Sequence, residues 1–140
     1  MNKVNLQKMA DYIKTIPQQS FDMSIYREEY NYYDPECESV GCIIGHCTII
    51  DKENVKANYV DDLSGEIDFH KWSEQFTGLK SISPEWNFLF SMDWKDVDNS
   101  IKGAVQRLEY IISGGKVSEW SKTPLIESIK LYFDLELYSD

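Results

Sequence analysis

The sequence predicts a mainly α-helical protein, a single domain over 1–140 with five or six helices around a central helix containing glycine and cysteine, plus one small β-hairpin. Three observations carry this expectation. Apolar residues recur at helical spacing in three separate stretches, near the start, around residue 105 and near the end. Helix punctuation is explicit at Pro17, Ser83-Pro84, Gly114-Gly115 and Thr123-Pro124. Hydrophobic content of 42% and aromatic content of 14% in 140 residues argue against disorder, and a domain of this size buries enough surface to fold without staples.

Residues 3–16 form the first amphipathic helix: Leu6, Met9, Ala10, Ile13 and Ile16 share one stripe, Lys3, Lys8, Asp11 and Lys14 face water, and Pro17 ends it. Phe21, Met23 and Ile25 then alternate, as either a short extended segment or a turn that anchors Phe21 and Met23 in the core.

The stretch from Cys37 to Ile50 holds all 3 cysteines and one of the 2 histidines, and the rest of the chain is expected to organise around it. It reads as a buried helix over 40–50 with Ser39 as N-cap, although Ile43, Ile44, Thr48, Ile49 and Ile50 are β-branched and lower helix propensity. Gly41 and Gly45 weaken such a helix by roughly 1 kcal/mol each. At i and i+4 they also leave a smooth face where another backbone can approach closely, which points to tight helix packing. Cys42 and His46 share that i, i+4 spacing, by which helices present zinc ligands. Cys37, Cys42 and His46 are therefore the candidate metal ligands, with His70 or an acidic residue as a fourth, yet C-x4-C-x3-H matches no standard zinc spacing. A Cys37–Cys42 disulfide leaves one thiol over. A catalytic thiol needs an exposed cysteine of low pKa beside a base. Reduced, buried thiols are the favoured reading, with neither metal nor cofactor.

Phe21-Asp22-Met23-Ser24 followed by Cys37-x-Ser39-x-Gly41-Cys42-Ile43-Ile44-Gly45-His46 resembles a group of small uncharacterised proteins of phages, plasmids and bacterial genomes. That group shows a Phe-Asp-Met or Phe-Asn-Met turn, then Cys-Gly-Thr-x-x-Cys-Ile-Ala-Gly and an aromatic residue or histidine. The resemblance covers roughly residues 20–50, with a weaker echo in Phe76-Thr-Gly-Leu79 and Leu89-Phe90. The chain departs from the group at Glu38, where glycine is usual, and in its third cysteine. The resemblance implies a helical fold and a mobile-element setting, and no activity.

After Ile50 the chain turns polar up to Asp68, with a short strand at Val55, Ala57 and Tyr59; the aspartates there do not follow the calcium-loop pattern. A helix is expected over 68–77 with Phe69, Trp72 and Phe76 inward, His70 exposed and Gly78 as its stop. Ser83-Pro84 starts the next, whose Trp86, Phe88, Leu89 and Phe90 are expected to pack on the cysteine helix. Asp98 or Asn99 then caps the clearest helix, with Ile101, Ala104, Val105, Leu108, Ile111 and Ile112 inward. Lys116 to Trp120 reads as extended, and Thr123-Pro124 starts a last helix. The first helix, the 99–112 helix and the last one are expected to surround the cysteine segment.

The net charge of −10 disfavours direct contact with nucleic acid or an anionic membrane. No apolar run is long enough for a membrane span, and with no leader-like start the expected location is cytoplasmic. No Ser–His–Asp order, paired-carboxylate motif or nucleotide loop stands out, so an enzyme is not expected. In residues 26–38, tyrosines interleave with carboxylates against the single Arg27. That composition reads either as a solvated loop or as a recognition surface made of Glu28, Glu29, Tyr30, Tyr32, Tyr33, Asp34 and Glu36. The expected function is therefore a small acidic protein that binds a partner protein with a basic surface. The alternative is a metal- or thiol-dependent enzyme using Cys37, Cys42 and His46.

Overall fold

In the computed structural model, which describes residues 1–28 and 40–120, the mainly helical class and the single compact domain hold. Asn2 opens helix α1 (Lys3–Ile13) by accepting the Asn5 N–H on its side-chain oxygen at 2.9 Å. The helix ends three residues before the predicted Ile16. Thr15 and Ile16 bond back to Tyr12 and Ile13 in tighter turns, because the residue before a proline is pushed out of α geometry. The predicted stripe is real: Leu6, Met9, Ala10 and Ile13 are fully buried, against α7 (Ile101–Ile112), α2 (Ile43–Cys47) and α4 (Phe69–Thr77).

Residues 21–28 satisfy both readings of the Phe-Asp-Met stretch. Phe21 and Met23 are buried, and a turn follows in which the Asp22 carboxylate accepts from the Ser24 N–H and hydroxyl. The chain then enters strand β1 (Arg27–Glu28), which pairs antiparallel with β2 (Val40–Gly41), Arg27 opposite Gly41. This ladder is the expected small β element. The Asp22 N–H to Gly41 carbonyl bond and the Cys42 N–H to Ile25 carbonyl bond extend it.

The cysteine segment differs from expectation at its entry. Val40 and Gly41 are strand, Cys42 occupies the N-cap position, and α2 begins only at Ile43; Ser39 lies outside the described residues. Gly41 is held in the strand ladder, with its carbonyl accepting the Asp22 N–H, so the helix starts only after it. The α-helix ends at Cys47 and not at the expected Ile50, and the polar stretch from Asp51 is not irregular at its start. Thr48–Asp51 tighten into a 3-10 turn and run straight into α3 (Lys52–Asn58), which replaces the predicted strand at Val55 to Tyr59. Only Val55 of α3 is buried, so one apolar contact holds a helix that carries almost no apolar pattern to read.

α4 ends as predicted at Gly78, whose φ of 71° is left-handed. α5 (Pro84–Phe90) begins at the Ser83 cap. After the single turn α6 (Trp94–Val97), α7 takes its cap from Ser100 rather than Asp98 or Asn99. Those two side chains have other partners: Asp98 accepts from Ser100, and Asn99 accepts the Met23 N–H. Residues Val117–Glu119 form a 3-10 turn, not an extended piece, and the predicted last helix lies outside the described residues.

The packing order also shifts. α7 packs chiefly on α1 and α5 rather than on the cysteine helix. The α5 aromatics divide instead of packing together on α2. Phe88 meets Trp94 and Trp120 edge-on toward α7, while Trp86 turns to Phe90 and His70.

Candidate binding groove

The two glycines of the cysteine segment receive a backbone, as expected, but it belongs to the strand leading into β1 and not to a helix. A Cβ at Gly41 would lie 2.6 Å from the Tyr26 carbonyl oxygen, and one at Gly45 would fall on that oxygen. Only glycine permits this contact, and it fixes where Tyr26 sits. The Tyr26 ring stacks on Phe69 with centroids 5.1 Å apart and planes 12° apart, and the residue stays 40% exposed.

Tyr26 forms one wall of a groove of about 290 Å³ whose other walls include Cys42, His70, Trp86, Phe90 and Met92. Each wall is held locally. Trp86 donates its indole N–H to the Ser73 hydroxyl at 2.9 Å, and the exposed His70 ring lies 4.9 Å from it. Met92 is 61% exposed at the rim. Two other hollows, each of about 340 Å³, lie against the polar turn at residues 58–71 and beside the 114–118 turn. Neither brings several aromatic faces, an imidazole and a thiol together as this groove does.

The predicted chemical residues separate. Cys42 and Cys47 are buried free thiols, so the Cys37–Cys42 bridge is not formed. Cys42 Sγ lies 3.9 Å from the Tyr26 carbonyl oxygen and Cys47 Sγ 3.8 Å from that of Met9. Burial pushes the Cys42 thiol up to about 11 and the Cys47 thiol well above its ordinary value. His46 is buried with Nε2 2.6 Å from the Ser20 carbonyl oxygen, so that nitrogen carries the proton and donates. Burial lowers the His46 pKa; the Ser20 bond opposes this, and Arg27 adds to the lowering. Cys42 and His46 thus engage different carbonyls on different strands of packing. Among the described residues no group of three or more His, Cys, Asp or Glu converges as a metal site would require. Cys37 lies outside those residues, as do Glu29, Tyr30, Tyr32, Tyr33, Asp34, Glu36 and the side chain of Glu28; the Glu28 backbone is the last residue of β1.

Trp86 and Met92 were not anticipated as site residues, and His70 was considered only as a fourth metal ligand. The available signal was the firm start at Ser83-Pro84, which sets the phase of α5 and puts Trp86 and Phe90, four apart, on one face. Arg107 was also missed: it is 1% exposed within the apolar stripe of α7, with its guanidinium 3.8 Å from the Trp94 ring and 3.8 Å from an Asp98 oxygen. No helix among the described residues is long and apolar enough to cross a membrane. No family model matches the chain, and neither does any curated protein or solved structure.

Proposed function

We propose that this is an acidic protein-binding module that engages a basic partner, such as a nucleic-acid-binding host protein, through Glu28, Glu29, Tyr30, Tyr32, Tyr33, Asp34 and Glu36. The observation that carries the reading is compositional. Six carboxylates (Asp22, Glu28, Glu29, Asp34, Glu36 and Glu38) stand against one arginine over residues 22–38, in a chain of net charge −10. The tyrosines among them supply rigid apolar area with a polar tip, the combination that anchors interfaces. The fold supports the reading where it leads into this segment: β1 pairs with β2, and the Tyr26 carbonyl abuts Gly45. The setting is a mobile element whose product acts on a host protein.

The enzyme alternative asks for an accessible thiol of low pKa, and Cys42 and Cys47 are buried with raised pKa values. The binding reading is tested by capturing a partner and measuring its kinetics. Glu28→Lys with Glu29→Lys slows association and flattens its salt dependence. Tyr32→Ala or Tyr33→Ala speeds dissociation with the fold intact. A captured partner whose binding ignores all of these changes refutes the reading.

A further inference from the structure

The groove beside β1 offers hydrogen-bonding groups as well as rings. Tyr26 has one ring face stacked on Phe69 and is 40% exposed, so its other face opens on the groove. Trp86 and Phe90 stand four apart on α5 and give the lining an apolar row, their rings 5.5 Å apart in an edge arrangement. Beside it runs a polar row. Asn87 and Ser91 also line the groove four residues apart, and the Ser91 N–H closes on the Asn87 carbonyl at 3.1 Å. The Asn87 amide gives both its N–H groups to the Ser81 and Ser83 carbonyls, which leaves Oδ1 to accept. The Ser91 oxygen accepts the Asp93 N–H, which leaves its hydroxyl proton to donate. Among the described residues, no Lys, Arg, Asp or Glu lines the groove. A charged ligand would lose its hydration there with no counter-charge in return, and a phosphate would meet no basic side chain. A neutral flat ring with an N–H donor beside a ring-nitrogen acceptor loses least and meets each of these groups. Adenine presents that pair, its amino group next to a ring nitrogen, and is the base that a side-chain amide reads best. At about 290 Å³ the groove lies at the small end of ligand sites, roughly 300–1,000 Å³, which suits a base better than a larger cofactor.

We propose that this groove binds a neutral adenine-type base, stacked on the open face of Tyr26, with its amino group donating to Asn87 Oδ1 and its ring nitrogen accepting from the Ser91 hydroxyl. A free nucleoside and a base held in a nucleic-acid strand present the same edge; the net charge of −10 favours the uncharged nucleoside. The assignment does not rest on the partner-binding reading above, which uses other residues.

The test titrates three probes into the full chain: adenosine, purine riboside, which lacks only the amino group, and adenosine monophosphate. The ring resonances of Tyr26 and Trp86 are followed by NMR. The expected result is a saturable shift of both rings by adenosine, with purine riboside about fivefold weaker and the monophosphate about threefold weaker. Tyr26→Leu keeps the backbone that abuts Gly45 and weakens adenosine about tenfold by removing the stacking face. Ser91→Ala removes the hydroxyl donor and weakens adenosine about fivefold, a second reading should Tyr26→Leu fail to fold. Equal binding of adenosine and purine riboside overturns the assignment of the amino edge. A monophosphate that binds as tightly as adenosine, or more tightly, overturns the preference for a neutral ligand. Rings that adenosine leaves unmoved, or shifts that survive both Tyr26→Leu and Ser91→Ala, overturn the groove as the site. The partner-capture experiment decides the wider reading on its own.

Discussion

Two buried polar centres solve the same problem in opposite ways. In the cysteine segment every group is kept neutral. His46 gives its Nε2 proton to Ser20, Cys42 and Cys47 point at carbonyls, and the Thr48 hydroxyl donates to Gly45. Under α7 the chain buries a full charge. Arg107 has burial pulling its pKa down to about 9 while Asp98 opposes that, so the cation persists at neutral pH. Its Nε and Nη2 have no hydrogen-bond partner among the described residues, and its charge is met by a one-third-exposed carboxylate and an indole face. The neutral centre depends on fit, whereas the charged one depends on a counter-charge, so the two should fail differently.

The largest effect is expected where fit is tightest. Gly45→Ala puts a methyl onto the Tyr26 carbonyl, a backbone atom that cannot step aside, and should destabilise by about 3 kcal/mol or more in urea unfolding. Gly41→Ala, at 2.6 Å from the same oxygen, should cost about 2 kcal/mol. A neutral centre that tolerates both methyls would erase the contrast.

Next comes the counter-charge. Asp98→Asn keeps the oxygen that accepts from Ser100 but leaves Arg107 unopposed. With Asp98 34% exposed, the loss should be about 2 kcal/mol rather than the full penalty of breaking a buried pair. Arg107→Met removes the cation together with its unmet N–H groups, and should cost less than about 1 kcal/mol. The order of these two variants, measured by the same unfolding, sharpens the comparison; the reverse order would mean that the arginine acts through packing alone.

His46 gives a smaller, pH-dependent effect. Its folded pKa lies below the unfolded 6.5, so the unfolded chain binds more protons in the interval between them. Stability should be level above pH 6.5 and fall as pH drops toward the folded value. Asp22, Asp61 and Glu74, whose pKa values are also lowered, act only in the acid range beneath their ordinary 3.8 to 4.5. His46→Gln should remove the slope near pH 6. The smallest energetic change is also the simplest to observe: a thiol reagent at neutral pH should label Cys42 and Cys47 slowly, leaving Cys37 as the fastest site. Rapid labelling of Cys42 that His46→Ala suppresses would instead mark a thiolate–imidazole pair.

What the sequence disclosed follows the range of the interactions. Ser83-Pro84, Gly78 and the α7 stripe are local signals, and each sits where it was expected. Asp98 or Asn99 was expected as the cap and Ser100 takes it, since Asn99 accepts the N–H of Met23, far away in the chain, and Asp98 accepts from Ser100 itself. The glycine pair announced a close backbone without saying whose, because a strand and a helix make the same demand on a missing Cβ. The groove was hidden for a similar reason: Tyr26, Cys42, His70 and Trp86 come from four separate elements and meet only through packing. Arg107 broke the apolar pattern of α7, and nothing nearby in sequence signalled that Trp94 and Asp98 would receive it.

The placement of α1 against α7 sets a demand on the order of synthesis. Gln18 bonds to Asn99 and Ile101, Asn5 to Phe76, and the buried stripe of α1 rests on a helix that begins about ninety residues after α1 ends. At a translation rate of roughly 5–20 residues per second, that stripe waits on the order of five to twenty seconds for its main partner. A nascent chain stalled before residue 101 would therefore present Leu6, Met9 and Ile13 to whatever apolar surface it met.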